Sequence, residues 1–527
     1  MQVLLWPLVY FLQYVLPSPL PAFSVKRFLR FLGPGWLVAM AYLDPGNLEA
    51  DMQAGAARGS FSAAGSPYAG EEPAQSGYGY SMLWLLLWGH AFGGVFQVLA
   101  ARLGNVTNAD LATLCRKEYG AIACFFLWLA TEAAIIGADF QAVIGSALAL
   151  QVLLGLPMWL GVCLTLVDCL SVLAFKGSGS RGLERVFGCL ILVMATCFGV
   201  NVCLSRPSLL LLLRGLALPS VPASRQEAAS LLSMLGCILM PHGLYLHSAL
   251  VKSRKVDRHN PEKVMEANYY FGLEAALALT VSFILNACVV CTFASPRIPT
   301  PHQLELATAA DALREAFGVG AFIAWALGLL AAGQNATMAG TYAGQFAMQG
   351  FLRLRCSRTV RLMATRLITI GPLLLLLLLR HETLDRISEA INILQALLLP
   401  LTLVPLLVFS ISQEVMGDFA LTGWRSVTAM GMAAALAVPA PEAAARVCAV
   451  RIHRNPSVSG AAAGEELQFS LFPSKRGPQP PKNLIGLSFT MGLQAGSKCS
   501  ARLTSVVVTQ SQIPLNHAVV HNGRSIN

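Results

Sequence analysis

Two short polar breaks interrupt long apolar stretches about two hundred residues apart. The first is Asp44-Pro45-Gly46-Asn47, within GWLVAMAYLDPGNLEADMQAG, and the second is Met240-Pro241-His242-Gly243, within LLSMLGCILMPHGLYLHSALV. A bilayer contains no water to satisfy a free amide or carbonyl. A membrane helix carrying Pro and Gly at its middle is therefore tolerated only where the exposed backbone lines a site. Paired interruptions in corresponding places of two half-molecules are the sequence mark of a substrate site at mid-membrane. The side chains at these breaks are a carboxylate, an amide and a thioether, a set that suits a transition-metal ion.

Composition agrees with a membrane setting. The 527 residues are 55% hydrophobic and 12% charged, against about 25% charged in soluble domains. Apolar runs long enough to cross a bilayer are expected at 34–56, 81–101, 121–150, 157–175, 183–204, 229–251, 269–293, 319–346, 362–379 and 391–411, with a weaker eleventh at 421–440. The net charge of +10 does not indicate nucleic acid. With a cytosolic N-terminus, eighteen Lys and Arg fall in cytosolic connections and eight in the opposite ones, as the positive-inside rule requires. Cys288-Val-Val-Cys291 has redox or metal spacing but lies in an apolar run without a second pair, so the 13 cysteines suggest no disulfide framework.

The organisation that follows is all-α. A cytosolic leader occupies 1–33; its residues 1–22 read as an amphipathic or poorly ordered segment, and the lack of a basic start argues against a cleaved signal peptide. A first group of five spans covers 34–204 and contains a flexible Gly/Ser-rich loop at 57–79. A second group of five covers 229–411, and a disordered tail is expected at 441–527. A broken helix opens each group, and an odd-numbered group inverts its second copy in the membrane, giving an inverted repeat. Asn105-Val-Thr matches a glycosylation acceptor but falls on the cytosolic side, where it would not be used.

Charged groups inside a bilayer are costly and are read as functional by default. Asp44, Glu132, Asp139, Asp168 and Glu274 qualify. Asp44, at a break, reads first as a metal ligand and proton carrier, a role compatible with its capping the half-helix that starts at Pro45. Asn47 adds a neutral oxygen or shares that capping role. Met240 supplies a sulfur that excludes hard ions, and the unwound carbonyl of Cys237 is favoured over its thiol. His242 and His247 are five residues apart, too far round for a two-histidine metal site, and suit proton relay. Glu132 and Asp139, two turns apart on one helix, with Arg366 on another, form a route for a proton or a static ion network. Asn392 or Gln395, before Pro400, can complete a coordination shell. Gln334 and Thr341 read as small polar packing residues.

Together these motifs resemble the natural resistance-associated macrophage protein (Nramp) family of proton-coupled divalent-metal transporters. The segments that carry the resemblance are FLGPGWLVAMAYLDPGNLEADMQAG, LWLLLWGHAFGGVFQVLAARLG, TEAAIIGADFQAVIGSA, ILMPHGLYLHSALVKSR, GLLAAGQNATMAGTYAGQF and LQALLLPL, spread over 24–411. The resemblance implies a leucine-transporter-like 5+5 inverted repeat and symport of Mn²⁺ or Fe²⁺ with protons into the cytosol. It assigns the metal to Asp44, Asn47, Met240, Asn392 and the Cys237 carbonyl. It assigns the proton path to Glu132, Asp139, His242, His247 and Arg366. Ala142 stands where the family usually has an acid, MPHG replaces MPHN, and Cys237 replaces an alanine. The segment after 420 does not look like the family's last helices.

The expected partners are divalent metal ions, protons and lipid, with no nucleic acid and no cofactor, the metal being cargo. The membrane is the plasma membrane or that of an endosome or vacuole. An uncoupled metal uniporter, a non-transporting metal sensor and an organic-cation or amino-acid symporter on the same fold are the alternatives. No hydrolytic or nucleotide motif points to an enzyme.

Overall fold

The computed structural model describes residues 23–56, 78–165, 179–219, 225–298, 304–353, 357–379, 384–437, 466–470, 485–493 and 501–510. It divides into two units, Met1–Lys117 with Cys124–His453, and Glu118–Ala123 with Arg454–Asn527. In chain order the helices are α1 (Val25–Phe31), α2 (Pro34–Ala39), α3 (Pro45–Ala56), α4 (Leu83–Thr107), α5 (Leu111–Glu118), α6 (Ala121–Leu154), α7 (Gly179–Ser205) and α8 (Leu209–Ala217). There follow α9 (Arg225–Ile238), α10 (Pro241–Leu250), α11 (Pro261–Phe293), α12 (Leu306–Phe317), α13 (Val319–Leu352), α14 (Arg358–Leu379), α15 (Leu384–Ile411) and α16 (Trp424–Ala437).

Both expected interruptions are present, and proline chemistry explains where they fall. Pro45 and Pro241 have no N–H to return to the carbonyls of Ala41 and Cys237, so the first helix ends in a 3₁₀ turn, Met40–Leu43, and the second ends at Ile238. Each proline then occupies the first turn of a new helix, where a missing N–H costs nothing. Met240 sits between the halves in extended conformation, φ −70° and ψ 121°. The halves pack crosswise, α3 against α9 and α2 against α10. That is the pairing expected of two broken helices running antiparallel.

A large apolar core among the described residues gathers side chains of α6, α7, α11, α12 and α13. Trp325 lies at its centre, edge-on to Phe293 at 5.0 Å and beside Phe198 at 5.9 Å. The start of α2 is pinned from α11. Gly33 donates its N–H to the buried Glu274 carboxylate, an acid placed where a helix N-terminus favours negative charge. Arg254 donates to the Leu32 carbonyl, and Phe31 stacks on Tyr270 at 5.5 Å.

Among the described residues, seven helices are long and apolar enough to cross a membrane. Three of the expected ten account for the difference. The first span is split into halves, each shorter than a bilayer. The fourth falls mainly on residues outside those described, as does Asp168. The ninth, α14, keeps a shorter apolar stretch, Met363–Leu375. The helix near 421–440 is present as α16 but has 14 described residues, short of the roughly 20 that span a bilayer. The leader to residue 22 and the loop from 57 to 77 lie outside the described residues. In the second unit, where the sequence predicts a tail without structure, strands β1 (Glu466–Ser470), β2 (Ile485–Leu493) and β3 (Ala501–Gln510) form an antiparallel sheet in the order β1-β2-β3. Alternating residues such as Leu503, Ser505 and Val507 lack a helical period, which left the strands unread beside so many apolar helices.

Candidate metal site and its surroundings

Asp44 ends the 3₁₀ turn and caps α3. Its Oδ1 accepts the Asn47 backbone N–H at 2.8 Å and the Asn47 side-chain amide at 2.9 Å. Its Oδ2 is buried and has no hydrogen-bond partner. The capping role therefore falls on Oδ1 alone and leaves Oδ2 unengaged. No cationic side chain pairs with Asp44 among the described residues, so a buried acid awaits a proton or a metal to neutralise it.

The second break supplies the softer donors. The Cys237 thiol donates to the Met234 carbonyl at 3.1 Å, so it is engaged within its own helix. The Cys237 carbonyl, by contrast, is the acceptor that Pro241 cannot satisfy. Cys237 lies within electrostatic range of both Asp44 and Asp51. Met240, 3% exposed, shares a narrow crevice with Tyr42, Phe96, Gln97, Leu239 and Leu244. Tyr42 precedes Asp44 by two residues, so the two breaks meet at this crevice. Among the described residues no three His, Cys, Asp or Glu side chains converge to hold a metal. The donors available are instead a carboxylate, amides, a thioether and a backbone carbonyl.

Asn392 of α15 reaches the first break. Its Nδ2 lies 3.5 Å from the Gly46 carbonyl and 3.2 Å from Ser233 Oγ, while its Oδ1 accepts from Gln141 Nε2 at 2.8 Å. Gln395, one turn on, is fully buried with neither amide atom hydrogen-bonded. α6 approaches the break closely through two positions four residues apart. A Cβ at Gly145 would lie 2.5 Å from the Pro45 ring, and one at Gly46 would lie 2.5 Å from the Gln141 amide.

The expected proton-path residues divide into two places. His242 and His247 are buried on α10. His247 Nδ1 lies 3.1 Å from Gln97 Oε1, and Gln97 Nε2 donates to the Tyr42 hydroxyl at 3.2 Å. His247 Nε2 and His242 Nδ1 have no partner. On the other side, Asp139 pairs with Arg366 at 3.2 Å and accepts from Thr369 Oγ1 at 3.1 Å. Arg366 also donates to Thr337. Glu132 does not share that arginine. It accepts from Arg361 at 2.8 and 2.7 Å and from Trp128 Nε1 at 3.0 Å. The two acids are thus one network each, not a chain through Arg366.

Several groups were not singled out in the sequence. Asp51 and Glu49 are buried on α3, and Asp51 lies within electrostatic range of Asp44. The freed Tyr42 carbonyl accepts from Asn286 Nδ2 at 2.9 Å and lies 3.4 Å from Ser282 Oγ, which is 3.3 Å from His90. Gln141 bridges α6, α15 and the break. The side chains among them share one sequence signal, a polar group near or within an apolar run, but that signal does not say which neighbouring span each one meets.

Comparison with known proteins bears on the family and the fold. Residues 70–440 match the family model "Natural resistance-associated macrophage protein-like". The chain is 42% identical over 409 residues to the metal transporter Nramp2 of Oryza sativa, covering 76% of this chain and 74% of that protein. It is 41% identical over 428 residues to the human natural resistance-associated macrophage protein 1, covering 76% and 74%. The crystal structure of a manganese transporter from Eremococcus coleocola superposes with a TM-score of 0.71 at 28% identity, over 83% of this chain and 91% of that one. Mhp1, a nucleobase-cation-symport-1 family transporter, superposes with a TM-score of 0.51 at 14% identity, over 80% and 92%, a likeness of fold alone. The fold is the leucine-transporter-like one expected.

Proposed function

The chain belongs to the Nramp family, a family of metal transporters rather than enzymes, and from that premise we propose that it moves Mn²⁺ or Fe²⁺ together with protons into the cytosol. The observation that carries the proposal is the unpaired Asp44 Oδ2, buried where two unwound helices meet. In a low-dielectric site a lone carboxylate must be neutralised. A proton and a metal ion compete for the same oxygen, so loading one displaces the other. Asn47 steadies the carboxylate through Oδ1, the Cys237 carbonyl offers a neutral oxygen, and the Met240 thioether favours transition ions over Ca²⁺ or Mg²⁺.

His242 and His247, buried on the half-helix beyond the break, would relay the proton released from Asp44. The crossed halves would let one group of helices rock against the other around a fixed site. A cytosol-negative potential would assist entry by ~2.3 kcal/mol per charge per 100 mV. The excess of Lys and Arg in alternate loops supports a cytosolic N-terminus.

Uncoupled uniport is the second reading, favoured by Ala142, which is buried where the family usually carries an acid. Radiolabelled Mn²⁺ uptake into proteoliposomes, with and without an inward proton gradient, tests both. Symport requires a faster rate with the gradient, and an undiminished rate without it favours the uniporter. Uptake by Asp44→Ala equal to wild type would sink the site itself.

A further inference from the structure

We propose that the side-chain oxygen of Gln141 contacts the transported metal ion and sets its preference for harder over softer ions, an inference that rests on the metal-site reading above.

The two amides at the first break can be oriented without ambiguity. Gln141 faces the Ser388 backbone carbonyl at 3.2 Å, and a carbonyl only accepts, so the nitrogen of Gln141 must point there. That same nitrogen lies 2.9 Å from Ser388 Oγ and 2.8 Å from Asn392 Oδ1. The other amide group of Asn392 faces the Gly46 carbonyl, which fixes its nitrogen in turn. The oxygen of Asn392 is therefore occupied by Gln141, and the amide oxygen left over is Gln141 Oε1. It is buried and accepts no hydrogen bond.

Its position is equally defined. A Cβ on Gly46 would stand 2.5 Å from Gln141 Cδ, Nε2 and Oε1, so the amide rests on the residue two beyond Asp44. Four residues further along α6, Gly145 lets the helix close on Pro45, which holds Gln141 against the break. A buried acceptor without a donor is unfavourable unless something else satisfies it. A neutral amide oxygen packed on Gly46, two residues from a carboxylate with one unpaired oxygen, belongs to the donor set a divalent ion of intermediate hardness uses. With Asp44 Oδ2 and the Cys237 carbonyl, it balances the sulfur of Met240.

The test uses the full-length protein in proteoliposomes, with Mn²⁺ and Cd²⁺ uptake measured separately. Gln141→Met keeps the side chain's length and replaces the amide by a thioether. If Oε1 contacts the ion, KM for Mn²⁺ should rise about tenfold while KM for Cd²⁺ stays within about twofold. Ser388→Ala removes a positioning hydrogen bond without removing the oxygen, and should change both metals by a similar factor. Equal changes for both metals in Gln141→Met, or none, overturn the inference. Should that variant not fold, Gln141→Asn, which draws the oxygen back by one methylene, must shift the ratio of the two KM values in the same direction, and an unchanged ratio refutes the contact. Asp44→Ala runs alongside. If it is inactive and the Gln141→Met ratio is unchanged, this inference alone falls. If Asp44→Ala transports as wild type does, both fall.

Discussion

Arg361 holds Glu132 with one guanidinium nitrogen 2.8 and 2.7 Å from the two carboxylate oxygens, both residues buried. Seven residues along α6, Asp139 meets Arg366, five residues along α14. The two pairings advance in the same direction on both helices. α6 and α14 therefore run parallel where they meet, as the third and ninth spans of an inverted repeat must. Two ion pairs about 10 Å apart along α6 make a ladder between these spans.

Breaking the outer rung leaves an uncompensated buried charge. Glu132→Gln and Arg361→Gln should each destabilise the protein by about 3–5 kcal/mol, and the double variant by clearly less than their sum. Thermal unfolding of the purified variants in detergent completes the cycle. Additive losses would show that the pair is not coupled.

Met240 should govern which ions are excluded. Met240→Ala is expected to retain part of the Mn²⁺ uptake through the Asp44 and Cys237 oxygens, and to admit Ca²⁺, which the wild-type thioether is expected to disfavour. Competition by Ca²⁺ against labelled Mn²⁺ uptake measures this. Unchanged Ca²⁺ exclusion in the variant would remove Met240 from the selectivity argument.

The breaks were legible in the sequence because proline and glycine within an apolar run have a direct backbone consequence. Asp44, Asn47 and Met240 could be located from that alone. Arg361 could not. With three residues of α14 before it, it looks like one more cytosolic loop charge, and only the approach of α6 makes it the partner of Glu132. Gln141 and Gln97 were silent for a related reason. An amide in an apolar helix is ordinary packing until the neighbouring spans show which of its atoms are used. The partner of each buried polar group is a fact about another helix, and no local pattern encodes it.

The connection after α4 carries a latch whose pH response can be stated. Asp110 accepts from Lys252 Nζ at 2.7 Å and from Thr113, beyond the end of the span. Burial raises the Asp110 carboxyl, but the hydrogen bond and charge of Lys252, with Thr113, outweigh it and hold the carboxyl below its usual range. A depressed carboxyl stabilises fully above the unfolded value, about 3.9, and loses that contribution only as pH falls through the lower folded value. The latch should therefore stay closed between pH 7 and 5. The pH profile of Mn²⁺ uptake by Asp110→Asn should keep the wild-type shape over that range while its rate changes. A profile that flattens would make Asp110 part of the pH response.

Gly46→Ala tests how tightly the break is packed. The added Cβ would meet the Gln141 amide at 2.5 Å. The end of a flexible side chain can usually move away, but this one is tied to Ser388 twice and to Asn392 once. Relief of the contact must release some of those bonds, each contributing about 0.5–1.5 kcal/mol, so a stability loss of about 1–3 kcal/mol is expected. The α3 backbone at this position is helical, so strain in the turn adds nothing and alanine's helix propensity opposes the loss slightly. Metal uptake should fall as well, because the displaced amide rests on Gly46, two residues from Asp44. Thermal unfolding paired with Mn²⁺ uptake separates the two effects. A fully stable variant with wild-type uptake would mean that Gln141 can leave the break without consequence.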